Sequence, residues 1–396
     1  MRVKTLVAVL GWMGVQGGAW ASGFALVEQN ASGLGNAYAG QAASAQDAST
    51  VFYNPAGLLR IEGSQLVVAG HLLETSAKLT DNGSTLGALG SGGDLGGFAF
   101  LPSFYYAGDL RPGFKWGIGV NAPFGLKTEY SAPWAGQTQG VTSHIKTINV
   151  NPSLAWLYSD KVSVGMGIDY QKAEVGLSSS ATAPAVNILK LRGDDDAWGY
   201  NLGMLVKLDN NTRLGLAYRS ELKYRLAGRA TGPVNGAIAA NLTTPASASL
   251  SLFNRLNERW DILTDLTWTG WSSFDKLATS GAVNVTVPEN WNDTLRLSVG
   301  ANYRKSDTWT WRVGLAYDQN PVPDAEHRTV RLPDTDRTWL ALGGQYKMSD
   351  KGWIDFGYAH LFMRDASINH LEAPIRVKGQ YQGQINIVSA QYTHTF

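Results

Sequence analysis

The fold of this chain is indicated most clearly by one stretch of ten residues, Trp309-Thr310-Trp311-Arg312-Val313-Gly314-Leu315-Ala316-Tyr317-Asp318. One set of alternate positions carries Trp, Trp, Val, Leu and Tyr, and the other set carries Thr, Arg, Gly, Ala and Asp. Successive side chains of a β-strand point to opposite faces. The pattern therefore predicts a strand with one face in an apolar medium and the other face in a polar one.

The same alternation recurs along the chain, at 162–170, 213–219 and 295–303. A soluble sandwich also buries one apolar face, but the strand ends of that face need no aromatic residues. Here an aromatic residue closes the apolar face of many predicted strands: Tyr170, Tyr218, Trp268, Tyr303, Tyr317 and Tyr346. Aromatic belts at both membrane interfaces are typical of transmembrane barrels. The sequence thus predicts an all-β protein, a transmembrane antiparallel β-barrel with polar and glycine-rich positions facing the lumen.

Two kinds of connection separate the predicted strands. Six are short and rich in turn-forming residues, at 108–113, 159–161, 209–212, 257–259, 305–307 and 349–351. Seven are longer and rich in Gly, Ala, Pro and Asn, near 80–97, 127–143, 179–197, 228–244, 271–291, 319–336 and 363–380. Their strict alternation predicts fourteen strands within residues 63–396, with short periplasmic turns, long outer loops and both chain ends on the periplasmic side.

Residues 1–21 have the features of a secretory signal peptide. Arg2 and Lys4 precede an apolar run from Leu6 to Met13, and small residues lead to an Ala-x-Ala site that ends at Ala21. The apolar run is much shorter than the ~20 residues of a spanning helix. Export and cleavage after Ala21 are therefore expected, and the barrel is placed in the outer membrane of a Gram-negative bacterium.

The composition excludes several other classes of protein. The 396 residues include no cysteine, so the chain has no disulfide framework, thiolate metal site or cysteine nucleophile. Charged residues make up 16% of the chain, against ~25% in soluble domains. A formal net charge of +1 gives no basic footprint for nucleic acid.

Residues 22–62 do not alternate, and we predict that they form a hatch inside the barrel. Asp47 and Ser49 are positioned to cap a short helix through Phe52, and Pro55 ends it by restricting Asn54. A barrel of fourteen strands has a lumen too wide for strand side chains to fill. A lumenal plug is therefore the preferred interpretation, and a periplasmic tail is the alternative.

Several segments resemble, in order, those of the outer-membrane long-chain fatty acid transporters of the FadL type, a family that includes uptake channels for aromatic hydrocarbons. In the predicted hatch they are Ser22-Gly23-Phe24, Gly33-Leu34-Gly35, Asp47-Ala48-Ser49-Thr50 and Asn54-Pro55-Ala56-Gly57. In the barrel they include 122–130, 268–271, 317–324, Arg331-Leu332-Pro333-Asp334 and 357–360. The resemblance covers nearly all of the chain after residue 21.

The resemblance implies a fourteen-stranded barrel, closed by an N-terminal hatch, that takes up hydrophobic molecules passively past lipopolysaccharide. It implies capture among the outer loops, a lumenal pocket beside the hatch, and sideways exit through an inward kink in the third strand. We expect Asn54, Pro55, Ala56 and Gly57 to take part in hatch gating. Pro55 would fix the backbone there, and Asn54 would bond to the barrel wall.

One segment of the predicted third strand is suited to such a kink. Pro123 cannot donate to the strand ladder, Phe124 follows it, and Gly125 permits unusual dihedral angles. We expect Pro152 in the fourth strand to weaken the same seam. The residues alone leave an ordinary bulge or the upper end of the strand as alternatives, and the resemblance favours the kink.

Six cations have the alternation phase of the lumen and are candidates to bind a carboxylate headgroup: Lys207, Arg213, Arg219, Arg296, Arg304 and Arg312. A carboxylate that loses its hydration in an apolar lumen needs a charge-assisted partner, ideally an arginine. The alternative is that these side chains pair with lumenal acids such as Asp169, Asp261, Asp265, Asp318 and Asp355.

The sequence contains no catalytic motif. Its six histidines do not share a metal-ligand spacing on one element, and HExxH, GxSxG and Walker patterns are absent. We therefore expect neither catalytic nor metal-binding residues, no cofactor and no enzymatic activity. Expected partners are hydrophobic small molecules, with long-chain fatty acids as the preferred substrates, together with outer-membrane lipid and lipopolysaccharide. The chain is expected to act as a monomer. The alternatives are a channel for aromatic hydrocarbons, a general porin for polar solutes, and an outer-membrane lipid enzyme.

Overall fold

The computed structural model describes residues 22–181 and 188–396. The predicted signal peptide lies outside the described residues, and its cleavage stays a prediction. None of the helices in the described ranges is long and apolar enough to cross a membrane. The hatch contains α1 (Ala31–Leu34), α2 (Gln41–Ser44), α3 (Thr50–Tyr53) and a 3-10 helix (Pro55–Arg60). Further 3-10 turns lie at Gly87–Leu89 and Trp271–Ser273.

The strand segments of the described ranges form one closed antiparallel barrel of fourteen strands, as predicted. The segments are β1 (Gln65–Asp81), β2 (Gly97–Arg111), β3 (Phe114–Asn121), β4 (Gly125–Glu129), β5 (Thr142–Ser159), β6 (Val162–Ser180), β7 (Ile188–Lys207), β8 (Thr212–Arg219), β9 (Leu222–Thr231), β10 (Gly236–Thr244), β11 (Ser247–Arg255), β12 (Trp260–Thr269), β13 (Lys276–Gly281), β14 (Val285–Pro288), β15 (Thr294–Arg304), β16 (Trp309–Asp318), β17 (Arg337–Lys347), β18 (Gly352–Met363), β19 (Ala366–Glu372) and β20 (Ile375–Thr395). Six barrel strands are interrupted and therefore consist of two segments each, beginning with β3 and β4. Pairing of β1 with β20, from Gln65 opposite Thr395 to Asp81 opposite Gly379, closes the barrel.

The alternation of β16 corresponds to the two faces of the wall, as predicted. Trp311, Val313, Leu315 and Tyr317 are 41–49% exposed on the outer face, whereas Arg312 is only 5% exposed inside. All six predicted short turns coincide with junctions of consecutive strands, although β2 continues through Arg111 in the first of them. The outer face is thus the lipid face, and the inner face packs against the hatch.

The predicted long loops are wrong in four places, because strands continue through them. Segments 179–197, 228–244, 271–291 and 363–380 contain all of β10, β13, β14 and β19 and one end each of β6, β7, β9 and β20. The acidic run at 194–196, predicted in a loop, lies in β7, and Asp194 pairs with Lys172 at 3.3 Å. Above the membrane neither face of a strand meets lipid, so the ladder continues while the hydrophobic alternation that reveals it disappears.

Residues 22–64 precede the first strand and fill the lumen, and nearly all of the side chains from 22 to 58 are buried. Helix α3 ends where Asn54 turns extended (φ −164°, ψ 101°) ahead of Pro55, as predicted. The expected capping differs, because Ser49 makes no side-chain cap bond and Asp47 instead accepts a bond from the Ser49 backbone N–H (2.9 Å).

The barrel wall accommodates the hatch through glycines that face the lumen. A Cβ added at Gly300, Gly314 or Gly343 would overlap Gly35, Asn36 or Ala37 of the hatch. A second group, Gly165, Gly203 and Gly215, is in equally close contact with Ala42, Asn54, Pro55 and Ala56. These six glycines, which we call the glycine seat, let the hatch backbone lie directly against the strands.

Candidate functional site

The hatch residues predicted to take part in gating are buried and bonded to the wall. The Asn54 amide donates from Nδ2 to the carbonyl of Ala42 (2.6 Å) and to that of Met204 in β7 (3.0 Å). Its Oδ1 accepts a bond from the backbone N–H of Ala56 (3.1 Å). Pro55 packs on the glycine seat, and Gly57 is so close to Thr50 that a Cβ would overlap the threonine hydroxyl. The expected bond from Asn54 to the barrel wall is therefore present, and a role in gating stays a proposal.

An inner cavity of about 160 Å³ lies between the hatch and the wall. Its lining is mostly apolar and aromatic: Leu26, Val27, Tyr38, Phe52, Tyr53, Pro55, Phe124, Tyr218, Trp271 and Trp339. Four charged side chains also line it, Arg219, Arg296, Asp265 and Asp318. An apolar chamber with a few polar groups is the usual form of a small-molecule site.

The six candidate cations lie in three different places. Only Arg219 and Arg296 line the inner cavity. Arg213 donates to the carbonyls of Ala43 (3.1 Å) and Ser44 (3.0 Å), and Arg312 pairs with Asp355 (2.5 Å) and Gln46 (3.0 Å), so both fix the hatch.

Arg304 and Lys207 lie at the end of the barrel that carries the short turns. Arg304 pairs there with Asp261 at 2.5 Å. Lys207 is exposed beside the turn at 208–211, so its predicted lumenal position is wrong. The alternation phase of a strand continues past the end of the lumen, and phase alone does not show where the lumen ends.

Of the two cations in the cavity, Arg219 is the paired one. Arg219 binds Asp169 and donates to the carbonyl of Phe52 (2.9 Å). Arg296 donates to the carbonyl of Ala37 (2.8 Å) and lies over the ring of Trp339. Among the described residues no carboxylate lies within 4.0 Å of Arg296, and its Nε has no hydrogen-bond partner.

The third barrel strand is broken at the predicted kink. Strand β3 ends at Asn121 and β4 begins at Gly125. Pairing between β2 and β3 ends at Phe104 opposite Val120, and β4 pairs with β5. Nearer the outer end of the barrel, the two sides of this interruption are joined by a hydrogen bond from the Glu129 N–H to the Leu95 carbonyl (3.3 Å). Between these points the edge of β2 from 97 to 103 faces no ladder partner in the described chain, and we call this region the wall break.

The expected role of Pro152 at this seam is wrong. Pro152 stands in register opposite Ile118, and the β3–β5 pairing is continuous there. The ladder is interrupted instead toward β6, between Val150 opposite Tyr170 and Ser153 opposite Gly167. The side chain of Asn151 donates to the carbonyl of Ile168 (3.0 Å), which supplies the bond that the proline cannot make.

The N-terminal segment, residues 22–30, covers the wall break from inside. Leu26 N–H donates to Pro123 (2.8 Å), and Gly125 N–H donates to Phe24 (2.9 Å). On the other side, Ser103 Oγ (2.8 Å) and the Tyr105 hydroxyl (3.0 Å) both donate to the carbonyl of Gln29. The segment thus spans the region where the β2–β4 ladder is missing.

Aromatic rings separate the inner cavity from a second, outer cavity of about 70 Å³. Phe24 is fully buried, and its ring lies 4.6 Å from that of Trp271, 5.6 Å from Phe274 and 5.9 Å from Phe124. Phe124 and Trp271 line the inner cavity, whereas Phe274 lines the outer one. We call these rings the Phe24 partition. Because Phe24 belongs to the N-terminal segment, the same short stretch of chain completes this partition and covers the wall break.

The chain matches, over residues 13–396, the model of the outer membrane protein transport family (OMPP1/FadL/TodX). The chain belongs to this family. A long-chain fatty acid transport protein of Escherichia coli (strain K12) is 28% identical over 430 residues, covering 96% of this chain and 95% of the relative. The 47 kDa outer membrane protein of Pasteurella multocida (strain Pm70) is 30% identical over 393 residues, covering 88% and 89%.

Solved structures share the fold of this OMPP1/FadL/TodX-family protein. A Pseudomonas aeruginosa FadL homologue superposes with a TM-score of 0.88 at 24% identity, covering 94% of this chain and 100% of that one. The Pseudomonas putida toluene transporter TodX superposes with a TM-score of 0.69 at 19% identity, covering 88% and 94%. The predicted family, barrel and outer-membrane location are thereby confirmed, and the family consists of transport channels and not of enzymes.

Two elements of the site were not found from the sequence of this family member. Phe24 belongs to a sequence motif, but its ring contacts join residues 100 or more positions apart, and no local pattern encodes them. Arg331, which lines the outer cavity, was outside the set of cations because it lies in a loop, where alternation gives no direction. Its place beside Leu332 and Pro333, in a segment that resembles the family, is the sequence signal that marks it.

Proposed function

We propose that this protein takes up long-chain fatty acids passively across the outer membrane. The observation that carries the proposal is the common cover of two openings: the inner cavity adjoins the wall break, and the N-terminal segment covers both. Pro123, Phe124, Leu26 and Ala25 line the cavity, so displacement of this segment would join the cavity to the lipid bilayer. The named transport of fatty acids by relatives of 27–28% identity supports the choice of substrate.

The proposed route has three steps. A fatty acid enters the outer cavity among the outer strands, passes the Phe24 partition into the inner cavity, and leaves sideways at the kink of Pro123, Phe124 and Gly125. Gating involves the N-terminal segment and the hatch residues around Asn54. The substrate moves down its own concentration gradient, so no cofactor is required.

Sideways exit is favoured by the cost of the alternative. An acyl chain that left the barrel into the periplasm would expose each CH₂ to water at ~0.8 kcal/mol. Exit into the bilayer avoids this cost, but it requires an interruption of the ladder, which closed barrels otherwise lack. The wall break supplies that interruption.

Arg296 is the proposed partner of the headgroup in the inner cavity. It is buried, lines the cavity, and has no carboxylate within 4.0 Å among the described residues. Arg219 is less suited, because Asp169 already balances its charge. The remaining four candidates fix the hatch or lie at the turn end of the barrel.

Uptake of aromatic hydrocarbons is the second candidate function, and the size of the inner cavity favours it. A volume of about 160 Å³ is close to the ~150 Å³ of an apolar cavity that holds benzene. A porin-like function agrees less well, because the hatch fills the lumen. Lipid and lipopolysaccharide contact and a monomeric state stay predictions.

Uptake of labelled oleate and labelled toluene by a transporter-null Gram-negative host distinguishes these functions. We expect this protein to restore oleate uptake, and Arg296→Gln to reduce oleate uptake more than toluene uptake. Liposome swelling with small sugars measures the porin-like alternative. Sugar permeation without oleate uptake would contradict the proposal.

A further inference from the structure

The outer cavity is lined by three charged side chains that the proposed route has not used, Arg192, Glu289 and Arg331. Strands β4 to β7, β9, β10 and β13 contribute an apolar lining that includes Leu126, Ile145, Val175, Leu226 and Leu242. Arg331, from the loop between β16 and β17, enters this lining together with Glu289. An apolar chamber with a guanidinium is suited to a ligand with an acyl chain and an acidic headgroup.

Arg331 is held in place by only one of its nitrogens. Its Nη1 donates to Ser143 Oγ (3.0 Å) and to the carbonyls of Thr142 (3.3 Å) and Ser178 (3.4 Å). Among the described residues no carboxylate lies within 4.0 Å of the Arg331 guanidinium, and its other nitrogens make no hydrogen bond. The group is therefore oriented by the wall and still has donors for a ligand.

A guanidinium that faces an apolar chamber loses hydration and gains little in return unless an anion binds it. Arginine presents its N–H groups in a planar fork that matches a carboxylate. A neutral hydrocarbon would leave these donors unpaired. The charge at this end of the cavity is thus complementary to an acid.

The carboxyl group in the same cavity is compatible with an anionic ligand. Burial raises the pKa of Glu289 to about 8, and its Oε2 accepts a bond from Trp291 Nε1 (3.2 Å). At neutral pH this carboxyl is mostly protonated, so it does not repel an anion. Glu372 is the other acid in electrostatic range of Arg331, and it is partly exposed and paired with His370 at 3.5 Å.

We propose that Arg331 binds the carboxylate of a long-chain acid in the outer cavity, with the part of the acyl chain next to the carboxylate against Leu126, Leu226 and Leu242. The assignment rests on the proposed function and deepens it, because it makes acid recognition begin before the Phe24 partition. Binding at Arg331 would also select acids over neutral hydrocarbons of equal length at the first site on the route.

Site-resolved photolabelling tests this assignment. Purified protein at neutral pH is labelled with oleate and with oleyl alcohol that carry the same diazirine on the chain, and the labelled peptides are identified by mass spectrometry. In the wild type we expect oleate to label the outer-cavity peptides around Leu226 and Leu242. In Arg331→Gln the oleate concentration that gives the same labelling should be roughly tenfold higher or more, since a bond to a charged group contributes ~1.5–3 kcal/mol. Labelling by oleyl alcohol should not change.

Two further variants complete the test. Arg331→Lys should restore part of the preference for oleate, and Arg364→Gln, which removes an exposed cation from the end of β18, should behave as wild type. Heat-modifiable migration on gels checks that each barrel is folded. Equal oleate labelling in wild type and Arg331→Gln would overturn the assignment. Failure of oleate to label the inner-cavity peptides around Leu26 in the wild type would instead contradict the proposed function.

Discussion

The hatch consists of two parts that the barrel holds in different ways. The hatch body, residues 31–61, lies against the glycine seat with backbone in direct contact with the strands. The N-terminal segment, residues 22–30, is held by single hydrogen bonds to β2, to the kink and to the loop between β16 and β17, and by the rings around Phe24. Close-packed backbone has no low-cost alternative position, whereas single hydrogen bonds exchange readily with water or ligand. We therefore expect the N-terminal segment to move more readily than the hatch body.

Locking the N-terminal segment should have the largest effect of all. Ala25 and Phe124 face each other in an antiparallel bridge, so a disulfide between Ala25→Cys and Phe124→Cys is geometrically suitable, and the chain has no other cysteine. We expect oleate uptake to fall to background and to return with reductant. The matched control is Thr75→Cys with Gly97→Cys, which joins a pair already in register between β1 and β2. Full uptake with the first disulfide verifiably closed would show that the segment need not move.

Disturbing the seat of the hatch body should have the next largest effect. A valine at Gly314 would overlap the backbone of Asn36, and overpacking of this kind costs ~1–3 kcal/mol or more. We expect Gly314→Val to assemble as a barrel but to conduct small ions in planar bilayers, because the hatch no longer fits. Gly97→Val is the control, since a Cβ there has nothing within 4 Å. A closed Gly314→Val channel would mean that the body, too, has alternative positions.

Removing one bond between the hatch body and the wall should have a smaller effect. Asn54→Ala leaves the buried carbonyls of Ala42 and Met204 without this donor, at ~1–3 kcal/mol. Hydrogen exchange in peptides covering 41–60 should become faster, and oleate uptake should change if Asn54 takes part in gating. Asn82→Ala, in an exposed loop, is the control. Faster exchange with unchanged uptake would assign Asn54 to stability alone.

The sequence predicted the wall of this molecule better than its interior, and the reason is physical. A strand between lipid and lumen alternates apolar and polar side chains along its sequence. This alternation therefore predicts β16 and the number of strands. Above the membrane β7 loses that contrast, and its acidic run was placed in a loop. The kink was readable because Pro123 cannot donate a ladder bond, whereas the opposite effect of Pro152 depends on the side chain of Asn151. Pairings such as that of Phe24 with Trp271 depend on the closed barrel, and nothing local encodes them.

The smallest expected effect concerns the protonation of Glu28 in the N-terminal segment. Glu28 is buried with its Oε2 unpartnered among the described residues, and burial raises its pKa from 4.5 to about 7, although Arg296 and Arg337 lower it. A carboxyl that binds its proton more tightly in the seated segment than in water stabilises the seated state below pH ~4.5. That stability declines as the pH rises toward 7 and is constant above it.

Hydrogen exchange in peptides covering 22–30 should therefore become faster between pH 5 and 7, after correction for the intrinsic rate. Asp334 also contacts this segment, because it accepts a bond from Gly23 N–H (2.7 Å). Burial raises the pKa of Asp334 to about 6, whereas the bond from Gly23 lowers it. In Glu28→Gln this increase between pH 5 and 7 should be reduced, while peptides covering 41–60 keep their protection in both proteins. An unchanged pH profile in Glu28→Gln would exclude Glu28 as the titrating group. A parallel loss of protection at 41–60 would show that the two parts of the hatch move as one, against the difference in how the barrel holds them.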